Sequence, residues 1–329
     1  MRTFSGIQPT GRKHLGNYLG AIRQYVAAQE RGDAIFCVVD LHALTMRYDP
    51  QELPVAVLDT TALLLAAGLD PARCILFRQS DVKEHTELCW MLTTTTAYGE
   101  LNRMTQFKEK SAEQKDFVSA GLFAYPILQA ADILAYRTDE VPVGEDQQQH
   151  IELARDVAQR FNSRFGETFV LPEHRIPEVA ARVLDLQVPT KKMSTTAGTE
   201  QGTVLILDEP DEIRRKFRVA VTDSGREIVR SPDKPGITNL IEILAAVRGI
   251  GPGEVEELYA EANGYAAFKQ DVGEAVVELL APVQKRYAEL RPDEAGLAKT
   301  LAEGAEKARA IASETVGTVR ERMGFRPLP

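Results

Sequence analysis

Three short segments carry residue types suited to phosphate chemistry. In SGIQPTGRKHLGNYLGA, residues 5–21, a glycine-containing turn stands between an apolar stretch and the start of a helical pattern. Backbone N–H groups and the positive end of the helix dipole at such a junction favour phosphate. His14, in the first turn, would lie beside it, and Gly16 and Gly20 would let the helix approach a ligand or the sheet closely. In PTKKMSTTAGTEQG, residues 189–202, Lys191 and Lys192 precede a run of hydroxyl and glycine residues, a loop able to fold over a triphosphate with one lysine placed on it. In VPVGEDQQQH, residues 141–150, Gly144 ends a strand and Glu145, Asp146 and Gln147 begin a helix. Polar groups at the carboxyl end of a parallel strand are where doubly wound folds bind nucleotides. Taken singly, each segment also fits a role without a ligand: an ordinary βα turn, a solvated loop, and for Asp146 a helix N-cap.

The elements around these segments follow from their periodicity. Residues 2–7 read as a short strand, and from His14 the apolar positions Leu15, Tyr18, Ile22, Tyr25 and Val26 recur at helical spacing. The run Ile35 to Val39 is continuously apolar, as in a strand covered on both faces. Two such strands joined by a helix imply a right-handed parallel crossover, the opening of a doubly wound sheet. The pattern continues with a helix over 51–67, the strand Cys74 to Phe77, and helices through Trp90 and from Tyr125 to Tyr136. A strand at 141–144 then feeds a helix with the apolar face Ile151, Ala154, Ala158 and Phe161, on which Asp156 and Arg160 are spaced for an ion pair. After a strand VLIL at 204–207, Ala, Glu and Leu dominate, so 210–329 reads as helical. The fold class is therefore α/β, a Rossmann-type doubly wound parallel sheet followed by a helical region.

Length and charge narrow the possibilities further. A chain of 329 residues suggests about two domains. No apolar run approaches the roughly 20 residues of a membrane span, and the start MRTFSGIQPTGRKH does not look like a signal peptide, so a cytoplasmic protein is expected. Cys37, Cys74 and Cys89 are too widely spaced for a metal knuckle, and no protein metal site is expected. A net charge of −9 argues against indiscriminate coating of nucleic acid. Yet the charge is uneven: residues 307–329 carry five basic groups against two acidic, whereas 251–306 carry twelve acidic and five basic. Acidic surface between basic ends suits a binder of one particular polyanion, and equally an ordinary solvated surface. Trp90, the only tryptophan, reads as a packed aromatic.

Read together, the segments resemble the class I aminoacyl-tRNA synthetases, most specifically the bacterial tryptophanyl-tRNA synthetase family. PTGRKHLGN stands where that family has its HIGH-type motif and KMSTT where it has KMSKS. VVDLHALT, MTQFKEKS, AYPILQAADILAY, VPVGEDQQQHIELARDVAQRFN and AVTDSG match it in order, so the likeness spans essentially the whole chain.

The resemblance implies a homodimeric ligase that activates L-tryptophan with ATP and Mg²⁺ to tryptophanyl-adenylate, releasing pyrophosphate, and then passes tryptophan to tRNA(Trp). It implies catalytic roles for His14, Lys110 and Lys192. ATP contacts would come from Gln8, Pro9, Thr10, Gly16, Asn17, Gly144, Glu145, Asp146, Val183 and the loop Lys192, Met193, Ser194, Thr195 and Thr196. Asp132 matches the acceptor of the indole N–H, Tyr125 and Gln147 match partners of the amino acid's polar end, and Phe4, His42, Val141 and Val143 match the pocket wall. A Rossmann-type catalytic domain would cover 1–200, with a helical connecting insertion and dimer surface at 47–122. A helical anticodon-binding domain would cover 201–329.

The chemistry fits this inventory. A substrate carboxylate is already ionised at neutral pH, so activation needs no general base but alignment with the α-phosphate and positive charge on the departing pyrophosphate. Two positions depart from the family pattern. Thr195 replaces the second lysine of KMSKS, and Gln129 stands where a close relative has methionine against the indole. The nearest competing reading, a tyrosyl-tRNA synthetase, expects a segment like GSDQWGN, which GEDQQQH does not match. A synthetase-derived regulatory protein is favoured by Thr195 alone and opposed by His14, Lys192 and Asp132.

Overall fold

The computed structural model describes residues 1–113, 118–144, 147–175, 183–195 and 198–326. Strand β1 (Arg2–Ile7) leads to α1 (Leu15–Asn17), a π-helical turn (Tyr18–Ile22) and α2 (Arg23–Ala28). Then come β2 (Asp33–Val38), α3 (Asp40–Ala43), α4 (Glu52–Ala66) and β3 (Cys74–Arg78). After a 3-10 turn (Gln79–Asp81) come α5 (Glu84–Thr93), α6 (Tyr98–Asn102), α7 (Thr105–Glu113) and α8 (Ala120–Leu134). β4 (Glu140–Pro142), α9 (Gln148–Phe165) and β5 (Glu173–Arg175) complete the sheet. The later elements among the described residues are helices: α10 (Pro210–Arg218), α11 (Pro235–Arg248), α12 (Pro252–Leu258), α13 (Tyr265–Leu290) and α14 (Glu294–Arg322).

The five strands are all parallel, in the order β3-β2-β1-β4-β5. Five of the six β2 residues, Ala34 to Val38, are buried, as expected of a strand with both faces covered. The order reverses at β1, so the crevice at the carboxyl ends of β1 and β4 is the topological switch point, where open parallel sheets hold their ligands.

Four local expectations are corrected. The strand expected at 141–144 is shorter and shifted, to Glu140–Pro142. VLIL does not join the sheet: the Leu205 N–H donates to Asp208 Oδ2 (2.9 Å) and the Asp208 N–H to the Leu205 carbonyl (3.2 Å), turning the chain before a strand can extend. Arg160 is drawn to Glu100 and the Thr95 carbonyl (2.8 Å) rather than to Asp156. Trp90 is 70% exposed on α5 rather than packed.

The chain divides into two compact units that interleave in sequence, one comprising 1–10, 25–176 and 293–329, the other 11–24 and 177–292. The first is built on the sheet. Its core joins Phe4, Ile35 and Phe77 from the strands to Ile127, Ala131 and Phe161 from α8 and α9. Helix α14 closes the same core with Ala305, Ala308, Ala312 and Val316. It lies against β3 so closely that a Cβ on Gly304 would meet the Leu76 carbonyl oxygen at 1.9 Å. In the second unit α10 and α11 pack on α13, and the buried Lys216 ammonium is held by Asp208 (2.6 Å) and the Thr203 carbonyl (2.8 Å). No described helix is long and apolar enough to cross a membrane.

Candidate active site

In the sheet unit, the sites of interest begin where β1 and β4 end. Gln8, Pro9 and Thr10 follow β1 directly, and Gly144 follows β4. Beneath them, α8 carries Tyr125, Gln129 and Asp132 at i, i+4 and i+7, one face of a helix. Asp132 is 1% exposed, and both its oxygens are engaged. Oδ2 contacts His42 Nε2 at 2.8 Å and Oδ1 contacts His85 Nδ1 at 2.5 Å, while the Gln79 amide donates to Oδ1 (2.7 Å) and Oδ2 (2.9 Å). Burial alone would push this carboxyl up, but the hydrogen bonds from His42 and His85 hold it below the usual carboxylate range. It is an ionised acceptor inside an apolar core.

The surrounding side chains follow from strand and helix ends. His42 lies on α3, just past β2, and its ring meets Tyr125 edge-on at 6.2 Å. The Tyr125 hydroxyl contacts His150 Nε2 at 2.8 Å. Phe4 on β1 stacks on Tyr136 at 5.5 Å, Val141 on β4 is buried, and Val143 packs on the same core. The structure thus joins His42 directly to Asp132 and Tyr125, and Phe4 to Asp132 through Tyr136 and His85, while Val141 and Val143 belong to the core that also holds Phe4. Gln147 stands at the entry to α9, its N–H donating to the Gly144 carbonyl (3.0 Å). Gln79, His85, Tyr136 and His150 were not singled out from sequence, although Gln79 has a readable signal, a polar residue directly after a parallel strand.

In the second unit, the turn around His14 pairs with the VLIL segment. The Leu15 N–H donates to the Val204 carbonyl (2.8 Å) and the Ile206 N–H to the Lys13 carbonyl (3.0 Å). Asn17 Oδ1 accepts from the His14 N–H (3.0 Å), which ties down the start of α1. A Cβ on Gly16 would lie 3.1 Å from the His14 ring and 3.4 Å from Val183 Cβ, so glycine here lets the three approach. Burial, followed by the charges of Lys192 and Lys13, pushes the His14 imidazole down to about 4. Burial likewise takes Lys13 down to about 8. A neutral histidine among cations is poised to receive an anion.

The lysine loop is clipped to residues 183–186. The Met193 N–H donates to the Val183 carbonyl (3.0 Å), the Asp185 N–H to the Lys191 carbonyl (2.9 Å), and Leu184 bridges Lys192. Asn239 on α11 holds Leu184 through both its N–H (2.9 Å) and its carbonyl (3.0 Å). Asp185 accepts from the N–H groups of Gln187, Val188 and Thr199. Asp185 and Asn239 were also missed from sequence, because neither lies in a phosphate-binding pattern. Met193 is buried, whereas Thr195 is exposed, its hydroxyl 3.4 Å from where a Cβ on Gly11 would be. Glu145, Asp146 and Thr196 lie outside the described residues, as does the side chain of Lys110.

A parallel sheet with polar groups at its reversal point, an ionised acceptor in an apolar core, and a histidine turn with a lysine loop define a nucleotide-binding protein of the doubly wound class. Residues 1–281 match the family described as tRNA synthetases class I (W and Y), and the chain belongs to that family. It is 51% identical to tryptophan–tRNA ligase 2 of Streptomyces avermitilis over 99% of this chain and 97% of that protein. With the tryptophan–tRNA ligase of Caldanaerobacter subterraneus it shares 52% identity over 98% of each chain. The crystal structure of tryptophanyl-tRNA synthetase from Mycoplasma pneumoniae superposes with a TM-score of 0.91 at 35% identity, covering 98% of this chain and 97% of that one. The Campylobacter jejuni enzyme complexed with ADP and tryptophan gives 0.83 at 36% identity, covering 98% and 100%.

Proposed function

We infer that this protein is a tryptophan–tRNA ligase: it joins L-tryptophan to ATP as tryptophanyl-adenylate, releases pyrophosphate, and transfers tryptophan to tRNA(Trp). The observation that carries this reading beyond family membership is Asp132, a buried ionised acceptor beside an aromatic wall, the chemistry an indole N–H requires. In the adenylation step the amino acid's own carboxylate attacks the α-phosphate, and the P–O bond to the departing pyrophosphate breaks. Lys192, Lys110 and the His14 helix start stabilise the charge that grows on the leaving group.

We assign ATP contacts to Gln8, Pro9, Thr10, Gly16, Asn17, Gly144, Glu145, Asp146, Val183 and 192–196. Tyr125 and Gln147 are assigned to the polar end of tryptophan, and Phe4, His42, Val141 and Val143 to its ring. Mg²⁺ would enter with the phosphates of ATP and keep several of its waters. When bound there it adds positive charge at the phosphates. Residues 1–200 are assigned to catalysis and 201–329 to tRNA reading. Exposed Trp90 and Tyr98, both within 47–122, support a second copy covering that surface in a homodimer. The cytoplasm, where tRNA and ATP meet, is the proposed location.

The test is ATP–pyrophosphate exchange with each amino acid, followed by charging of tRNA(Trp). Exchange dependent on tryptophan, with transfer, supports the reading. Exchange driven by tyrosine supports the competing synthetase, and nucleotide binding without exchange supports a regulatory protein.

A further inference from the structure

Behind Asp132 lies a second layer of side chains that no phosphate or amino-acid motif accounts for. His85, in the first turn of α5, is fully buried, as are Tyr136 and Gln79. His85 Nδ1 reaches Asp132 Oδ1 at 2.5 Å, and His85 Nε2 reaches the Tyr136 hydroxyl at 2.6 Å. A phenol hydroxyl donates or accepts, whereas an ionised carboxylate only accepts. The neutral tautomer with its proton on Nδ1 satisfies both contacts, with Tyr136 donating to Nε2. Burial, followed by the negative groups around it, keeps Tyr136 protonated by raising it well above its ordinary range, so it remains a donor.

The rings have little room to turn. Phe4 stacks on Tyr136, Phe77 meets Tyr136 edge-on at 5.8 Å, and Phe77 also lies 5.7 Å from His85. Leaving a carboxylate in such a core without donors is costly, and protonating it would turn the acceptor into a donor facing a donor. A carboxylate offers about four acceptor positions, and three nitrogens, His42 Nε2, His85 Nδ1 and the Gln79 Nε2 that forks between both oxygens, share them here, so these fixed donors determine which position remains for a substrate.

We propose that His85, with its ring set by Tyr136, is a positioning residue for amino-acid choice: it holds Asp132 ionised and turned so that one acceptor position meets the substrate ring N–H. This rests on the reading of Asp132 as the indole acceptor. Sites built to hydrogen-bond a substrate N–H reject analogues lacking it strongly, because the buried partner is left unpaired.

The experiment compares kcat/KM in pyrophosphate exchange for tryptophan and for 3-benzothienylalanine, in which sulfur replaces the ring N–H. His85→Leu is expected to lower the preference for tryptophan at least about tenfold, mainly through KM. His85→Asn places an amide N–H near the position of Nδ1 and retains most of the preference, whereas His85→Gln places it near Nε2 and loses it. Tyr136→Phe gives an intermediate loss. The Asn and Gln pair keeps the test decisive if the leucine variant does not fold. Equal effects of Asn and Gln would indicate packing and overturn the proposal. A preference abolished in Asp132→Ala but intact in His85→Leu would also overturn it, leaving the Asp132 reading in place. A preference intact in Asp132→Ala would overturn that reading itself and this proposal with it.

Discussion

The Asp185 carboxylate occupies the space that a side chain at Gly202 would need: a Cβ at 202 would lie 1.8 Å from Asp185 Oδ1. The KMSTT loop therefore closes on a carboxylate, and its return limb requires glycine. Gly202→Ala must displace Asp185, which also holds Thr199 and the turn at 187–188. We expect kcat in pyrophosphate exchange to fall about 10²-fold, the cost of misplacing a reacting group by about an ångström, with KM for tryptophan little changed. An unaltered kcat would show that loop closure does not depend on this contact.

Asp185→Asn tests the same contact through stability. Burial raises this carboxyl, but the N–H groups of Thr199, Gln187 and Val188 outweigh it and leave it below the usual range. A carboxyl lowered on folding stabilises the native state above its unfolded value, and that contribution is lost as pH falls through the folded value. The parent should lose stability on acidification below about pH 4 more steeply than Asp185→Asn, measured by denaturant unfolding at a series of pH values. Parallel curves would contradict the assignment.

His14 predicts a titration that ATP shifts. Burial, followed by the charges of Lys192 and Lys13, pushes its imidazole down to about 4. A histidine lowered on folding gives its full contribution to stability above its unfolded value of about 6.5, and that contribution is lost as pH falls towards 4. Phosphate charge beside the ring reverses the effect of the lysines, so ATP should raise the His14 value, read by NMR of the ring nitrogens. A value unaffected by ATP would place the phosphates elsewhere.

Thr195 leaves the loop one cation short of KMSKS. If Lys191 and Lys110 supply the field, as proposed, Thr195→Lys should change kcat in pyrophosphate exchange by less than about threefold. Lys110→Ala should cost about 10²-fold, and Thr195→Lys should restore part of it. Strict additivity of the two substitutions would show that they share no electrostatic role.

How far the sequence could be read varied with burial and with the range of the interactions. β1, β2 and β3 are legible because apolar residues recur where both faces are covered, whereas β5 is the exposed trio Glu173, His174 and Arg175, with no apolar signal at all. VLIL looks like a strand, but Asp208 ends it, and a single polar residue outweighs four apolar ones. His14 and Lys192 are visible because phosphate sites use short local patterns. Of the partners of Asp132, His42 is named by the family resemblance, whereas Gln79 and His85 are not legible, because they come from other segments and meet it only in the folded chain.

Arg320, Arg322 and Arg326 test where tRNA docks. Arg320 pairs with Glu87 and Arg322 donates to the Phe165 carbonyl (3.2 Å), while Arg326 is exposed beyond α14. Replacing all three with alanine should weaken tRNA charging and flatten its salt dependence, by roughly one unit of log–log slope for each phosphate that is no longer neutralised. Adenylate formation should be spared. Equal loss in both reactions would indicate misfolding or another docking face.

The most direct test of tryptophan recognition is a crystal structure of this protein with tryptophan bound. An indole nitrogen within about 3 Å of an Asp132 carboxylate oxygen, with the ring against His42, Tyr125 and Phe4, is the predicted result. A ring seated elsewhere, or one whose nitrogen faces away from Asp132, would contradict it.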